Sequence, residues 1–166
     1  VLHPLAREEY PIVPRLWQLY RHDMSEFRGS LPDARGRYTE GHMPEYLTPR
    51  PDPDRLAYLI RWSGAPVGFV FVRGRTGLVR MIAEFFVVRA ARRQGVGEAA
   101  ARAAFGAHPG PWEVAFQEEN PSAARLWRRV VADVSAGRYR EERRPVPDKP
   151  HLPPDTWLSF TTGQGV

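Results

Sequence analysis

The sequence predicts an α/β fold of the α+β kind, a single domain around a mixed, mostly antiparallel central sheet. Three observations carry this. A hairpin pattern runs over 56–73. A long apolar strand over 78–88 turns directly into an Ala-rich helix. A short strand at 112–116 leads into a second amphipathic helix. A length of 166 residues suits one domain, and 42% hydrophobic residues supply its core.

In chain order, residues 1–5 read as a short first strand. Ile12, Leu16, Leu19 and Tyr20 recur at helical spacing, so 9–28 reads as a helix with those four on its buried face. Pro11 and Pro14 confine its start, because proline suits only the first turn, and Gly29 ends it. Residues 30–54 have no sustained period and read as a long loop with one short helix near Met43–Leu47. Ordered loops of that length usually carry function. LAYLIRW (56–62) and VGFVFVR (67–73) are rich in strand formers and flank the turn chemistry of Ser63-Gly64-Ala65-Pro66. LVRMIAEFFVV (78–88) is apolar enough for a central strand buried on both faces. The following helix, from about Gln94 to Ala107, stops at His108-Pro109-Gly110-Pro111. After WEVAF (112–116), Asn120-Pro121 offers an N-cap and a first-position proline to a helix. Its apolar positions are Ala123, Trp127, Val130, Val131 and Val134. A charged stretch, a Pro-rich loop (145–154) and a last strand (156–162) complete the pattern.

Composition excludes several chemistries. The chain has no cysteine, hence no disulfide scaffold, thiolate zinc site or cysteine nucleophile. The histidines show no ligand spacing, so no metal is expected. No apolar run approaches the roughly 20 residues that span a bilayer, and VLHPLAREEY lacks a signal-like apolar core. A cytoplasmic protein without a membrane partner is expected. The formal net charge is +5, and every basic residue except Lys149 is arginine. With abundant Ala, Pro and Gly this reads as coding bias, although a positive field still attracts anions. Arg138-Tyr139-Arg140 with Arg143-Arg144 is interrupted by two glutamates, which suits a solvated face better than a nucleic-acid surface.

Chemistry concentrates where the strand ending at Val88 runs into Arg92-Arg93-Gln94-Gly95-Val96-Gly97 and a helix begins. A helix start has unpaired N–H groups and a partial positive charge, and glycines let backbone approach a ligand. The combination makes an anion cradle suited to phosphates. The segment has neither the G-x-G-x-x-G of dinucleotide folds nor a Gly-Lys-Ser/Thr loop.

Arg92, Gly95 and Gly97 resemble the acetyl-CoA signature of the GNAT (Gcn5-related) N-acetyltransferases, Arg/Gln-x-x-Gly-x-Gly/Ala after a strand. Asn120, Ala123 or Ala124, and Trp127 resemble that family's N-x-x-A-x-x-x-(Phe/Tyr) helix. The resemblance covers about 55–135 well. It implies a domain over 1–166, with helices on both faces of a sheet whose middle strands, 78–88 and 112–117, splay apart. The acetyl-CoA core would span about 55–135, and the acceptor side would be formed by about 9–54. The resemblance also implies acetyl transfer to a small-molecule or peptide amine by direct attack on the thioester. Acetyl-CoA would pair with the backbone of Phe85, Phe86 and Val87, and its diphosphate would rest on the amides of Arg93, Gln94, Gly95, Val96 and Gly97 near Arg92 or Arg93. Asn120 would hydrogen-bond the pantetheine arm, cap the helix, or do both.

Three residues are candidates for acid–base work. Glu84 lies in an apolar strand, where a carboxylate is costly unless paired or used and where burial raises its pKa toward the working range. The alternative is a salt bridge to Arg80 or Arg61. Glu113 on the neighbouring strand matches a glutamate that some family members use. Strand alternation decides which of the two faces the cleft, and a bulge would spoil that count. The family often places a thiolate-protonating tyrosine where this chain has Trp127, and indole cannot act as that acid. Trp127 is therefore expected to pack beside the thioester or in the core, and Tyr139, just beyond that helix, is a candidate substitute acid; the alternatives are a surface tyrosine and a thiolate that leaves with a solvent proton. Tyr20, Asp23, Tyr38 and Tyr46 are plausible acceptor-side residues. A non-catalytic CoA-binding module and an acetyltransferase acting on aminoacyl-tRNA are the competing readings, and a homodimer is left open.

Overall fold

Strand formers and punctuation place the elements of the computed structural model, which describes residues 1–50, 52–74 and 76–163. The strands are β1 (Leu2–Pro4), β2 (Arg55–Trp62), β3 (Ala65–Arg73), β4 (Arg80–Val87), β5 (Gly110–Phe116), β6 (Tyr139–Arg144) and β7 (Asp155–Thr162). The helices are α1 (Ile12–Arg28), α2 (Val96–Ala107) and α3 (Pro121–Val134), with short 3-10 turns at Arg7–Glu9, Met43–Tyr46 and Arg89–Ala91. The strands form one sheet in the order β1-β2-β3-β4-β5-β7-β6. All neighbours are antiparallel except β4 and β5, which run parallel because α2 crosses between them.

Each face of the sheet is covered by helix. On one face Val13, Leu16 and Trp17 of α1 pack on Phe69, Phe71 and Phe86, with Trp17 stacked 5.8 Å from Phe69. Val13, Leu16, Trp17 and Tyr20 follow i, i+3, i+4, i+7, so the buried stripe is rotated from the expected one and Leu19 is half exposed. On the other face lie α2 and α3. Ala100, Ala101 and Ala104 are small enough to let α2 approach the sheet, and Trp127, Val130 and Val131 carry α3 onto Trp112, Val114 and Leu158.

Two further expectations are corrected. Leu78 and Val79 are exposed, and β4 begins only at Arg80, because Asp54 accepts the N–H groups of Gly74 and Thr76 and holds this connection as a loop. The charged stretch 139–144 is a strand. An edge strand pairs on one side only, so it tolerates and even favours charge.

The register of β3 on β4 positions the site, and Gly68 permits it. A Cβ at Gly68 would lie 2.0 Å from the Phe86 carbonyl oxygen, inside the backbone of the neighbouring strand. Gly68→Ala is expected to destabilise the fold by about 2 kcal/mol or more, read as a lower urea midpoint. A midpoint equal to that of the unmodified protein would show that β3 and β4 adjust freely at this point.

Candidate active site

The site begins where a ladder ends. β4 and β5 pair only through Arg80 with Trp112, Met81 with Glu113 and Ile82 with Val114. Both strands continue beyond these pairs, and a cleft of about 540 Å³ opens between them. Ala83, Glu84 and Phe85 line one side and Ala115, Phe116 and Gln117 the other. Val88 N–H donates to Val67 O on the β3 side. Alternation then turns the backbone groups of Phe86 toward β3 and those of Phe85 and Val87 toward the cleft. Of the three expected backbone contacts, Phe86 is therefore occupied by the sheet.

A β-bulge sets the orientation of Glu84. Phe71 pairs with Glu84 and Val72 with Ile82, so Ala83 is the extra residue. The bulge puts Glu84 on the α1 face instead of with Ile82 in the apolar α2–α3 core. There Tyr20 of α1 donates its hydroxyl to Glu84 Oε2 at 2.5 Å. Burial pushes the Glu84 carboxyl up from its ordinary value, opposed by the Tyr20 hydrogen bond and the charge of Arg21. Tyr20 is raised well above an ordinary phenol by burial and by the Glu84 charge. The partner of Glu84 is thus a hydroxyl and not an arginine. Arg61 pairs with Glu9 at 2.6 Å, and Arg80 Nη1 donates to Pro109 O.

Beyond β4 the chain makes a 3-10 turn and enters α2. Gly95 is its N-cap in the left-handed region (φ 76°), and no side chain caps the helix. Val96 is buried and anchors the first turn, while Arg93, Gln94 and Gly95 are exposed. The first N–H groups of α2 have no intrahelical partner and face a positive helix end. A Cβ at Gly97 would meet only ordinary contacts, 3.7 Å from Val87 Cγ2, so the protein itself does not demand glycine there. Arg92 does not extend to this cradle. Its Nε donates to Val87 O at 2.8 Å, its Nη2 pairs with Asp23, and its guanidinium lies over Phe86. It clamps α1 to the end of β4, and Asp23 belongs to that clamp, shared with Arg89 at 3.0 Å.

The other wall comes from α3. Asn120 Oδ1 accepts from Ala123 N at 3.2 Å and caps the helix, while the residue also lines the cleft. Trp127 meets Phe85 edge-to-face at 4.9 Å and is 4% exposed. Residues of the 145–154 loop, among them Val146, Lys149 and Leu152, complete the lining.

A profile of the acetyltransferase (GNAT) family matches residues 15–131, from α1 to α3. The chain belongs to that family. An acetyltransferase from Thermus thermophilus superposes with a TM-score of 0.64 at 18% identity, over 97% of this chain and 96% of that one. The ribosomal-protein-S18-alanine N-acetyltransferase from Escherichia coli gives 0.63 at 13% identity, over 100% and 96%. AAC(6')-Ib in complex with ribostamycin and coenzyme A gives 0.65 at 16% identity, over 97% and 92%. These likenesses show the shared fold. No curated protein sequence matches the chain.

Within this GNAT acetyltransferase, two of the acid–base candidates lie away from the cleft. Glu113 is held by Arg144, Nη2 to Oε1 at 2.9 Å and Nη1 to Oε2 at 3.2 Å, and by Ser159 Oγ at 3.1 Å. The Arg144 hydrogen bonds pull its carboxyl below the usual range, the reverse of what a base needs. Tyr139 pairs with Phe160 in β6, and Phe160 pairs with Trp112 near the start of β5, whereas the cleft opens at its end. Tyr46 is buried against Phe71, 4.3 Å between ring centres. Tyr38 lines a separate hollow beside α1. The 145–154 loop and Arg21 supply lining residues that the sequence did not announce. A proline-rich loop carries no periodicity to say what it covers, and one arginine among many carries no signal.

Because burial raises the Glu84 carboxyl, the folded protein holds that proton to higher pH than the unfolded chain. Its contribution to stability is full below the unfolded value and is lost as pH rises through the folded one. Glu84→Gln keeps an acceptor for Tyr20 and removes the buried charge. The variant is expected to melt with the unmodified protein at pH 4 and a few degrees above it at pH 8. Equal midpoints at both pH values would show that the charge is solvated in the folded state.

Proposed function

We propose that this GNAT acetyltransferase moves the acetyl group of acetyl-CoA to a primary amine, which attacks the thioester directly in the cleft between β4 and β5. The observation that carries the reading is the parting of these strands beside an uncapped helix N-terminus, with a buried carboxylate in the gap. The residues present fit the co-substrate. An extended amide-bearing arm matches the backbone groups of Phe85 and the N–H of Val87 on the cleft edge, the Val87 carbonyl already accepting from Arg92 Nε. A diphosphate matches the first N–H groups of α2 together with exposed Arg93 and Gln94. Asn120 Nδ2, without a protein partner among the described residues, is available to the arm. Trp127 and Phe85 wall the cleft.

Bound acetyl-CoA supplies an activated acetyl group on sulfur. The chain's own part is positioning and proton transfer. Glu84 takes a proton from the incoming ammonium, directly or through water, and its upward shift brings its basicity closer to that of the amine. Tyr20 fixes the carboxylate by its hydrogen bond. The N–C bond forms as the C–S bond breaks, the nitrogen gives its second proton to water in the open cleft, and the thiolate takes a proton from that water. Tyr139 is too distant in the sheet for that task, and Trp127 has no acidic proton to give.

Glu84→Gln is expected to lower kcat at neutral pH by about 10²-fold or more and to flatten the pH–rate profile, with calorimetric acetyl-CoA affinity unchanged. Glu113→Gln should stay within a few-fold of the unmodified protein. The reverse pattern would move the base to β5.

At the other end of the cleft, Gly97→Asp should fold well, since a Cβ fits and an acidic residue suits a helix start. The added carboxylate should nevertheless weaken CoA binding by about 100-fold or more through repulsion of the diphosphate. Unchanged CoA affinity in the folded variant would remove the cradle from α2.

A further inference from the structure

The acidic side chains that line the cleft and the hollow beside it, among the described residues, are all committed. Asp155 pairs with Arg28 at 3.1 Å and also accepts from Gln117. Glu84 is engaged by Tyr20. A second hollow, of about 400 Å³, lies between the end of α1 and the 30–39 loop, and it shares Arg21 and Ser30 with the cleft. Its Asp33 accepts the backbone N–H groups of Arg35 and Arg37. No uncommitted carboxylate among the described lining residues is left to meet a second ammonium on an acceptor.

The cations are in the opposite condition. Arg21, Arg73 and Lys149 line the cleft, and among the described residues none has a carboxylate partner. The one side-chain hydrogen bond of Arg73 among the described residues is to the sulfur of Met81. Arg21 is the sharpest case, because its Nε is buried and makes no hydrogen bond among the described residues. A buried guanidinium N–H without an acceptor is costly and calls for a partner. Arg21 follows Tyr20 in α1 and stands where the two hollows meet, so a molecule presenting its amine to Glu84 has this guanidinium beside it.

We propose that the amine acceptor is a small molecule that also carries an oxyanion, a carboxylate or a phosphate, and that Arg21 is its specificity-determining partner. This rests on acetyl transfer in the cleft. A guanidinium presents forked donors that match either oxyanion, and Arg73 and Lys149 add to the attracting field. The same cations disfavour the ammonium form of the acceptor, which must lose a proton to attack. A polycation would meet three unpaired positive charges and find no free carboxylate among the described lining residues.

The test uses acceptor pairs that differ only in the anion: the common L-amino acids against their amides, and ω-aminoalkyl phosphates against the corresponding amino alcohols, with spermidine as the polycation. At least one anionic member should be preferred about tenfold or more in kcat/KM, and the arm that shows it identifies the oxyanion. Arg21→Gln should remove the preference by raising KM for the anionic member only, and Arg21→Lys should restore part of it. Calorimetric binding of N-acetyl-amino acids, N-acetylaminoalkyl phosphates and their neutral counterparts, without CoA, reads the same preference without chemistry. Neutral amines or spermidine performing as well as the anionic members would overturn the proposal while leaving acetyl transfer intact. So would a preference that survives Arg21→Gln, or an absence of preference in both turnover and binding. A binding preference lost in Arg21→Gln, with no amine acetylated, would support anion recognition and overturn the transferase reading.

Discussion

Parallel pairing between β4 and β5 stops at Ile82 and Val114, and the groups proposed to carry acetyl transfer are arranged around that stop. A central strand normally satisfies its backbone on both edges. Here the edge of β4 beyond Ile82 has β3 on one side and a cleft on the other. Packing on both faces keeps the strands apart. Phe85 is wedged against Trp127 of α3 on one face, and Phe86 packs with Tyr20 of α1 on the other, ring centres 4.9 and 5.8 Å apart. The opening is therefore a property of the packed core, ready before any co-substrate arrives, which limits the ordering cost of binding.

The bulge at Ala83 ties this opening to Glu84, the proposed base. With regular alternation Glu84 would share a face with Ile82 and enter a core built from alanine, valine and aromatic side chains. An unpaired carboxylate there would cost several kcal/mol by desolvation. One extra residue carries it to the α1 face, where Tyr20 donates to it. The Gly68 contact, the β3–β4 register, the bulge and the Tyr20–Glu84 pair are thus one construction. A shift of register would lose the Tyr20–Glu84 pair together with the strand pairing.

This explains which parts were legible in the sequence. Helix and strand positions followed from periodicity and from punctuation such as Gly29, Ser63-Gly64 and Asn120-Pro121, because those residues act locally. The turn into α2 at Gly95-Val96-Gly97 was legible for the same reason. The role of Arg92 was not. The residue that occupies it, Asp23, lies 69 positions away, and proximity in the motif said nothing about where the guanidinium points. The bulge was equally hidden, since IAEFF reads the same with or without it. β6 escaped because an edge strand need not be apolar, and its charged residues find partners across the sheet, as Arg144 does with Glu113.

The arginine excess also resolves into parts. Arg28 with Asp155, Arg61 with Glu9, Arg92 with Asp23, Arg128 with Glu118 and Glu141, and Arg144 with Glu113 are clamps between elements distant in sequence. For these, coding bias and structural use agree, since a forked cation ties carboxylates together better than an ammonium. The cations left over at the cleft act on Glu84 itself. Burial alone drives its carboxyl upward, and the charges of Arg21 and Arg73 work against that drive together with the Tyr20 hydrogen bond. The net shift stays upward, so the group is a stronger base than an exposed glutamate. The opposing charges also moderate the burial that would otherwise hold the proton on it more firmly. Arg21 and Arg73, which lack carboxylate partners among the described residues, therefore help set the basicity of Glu84, the carboxylate proposed to take the proton of the amine.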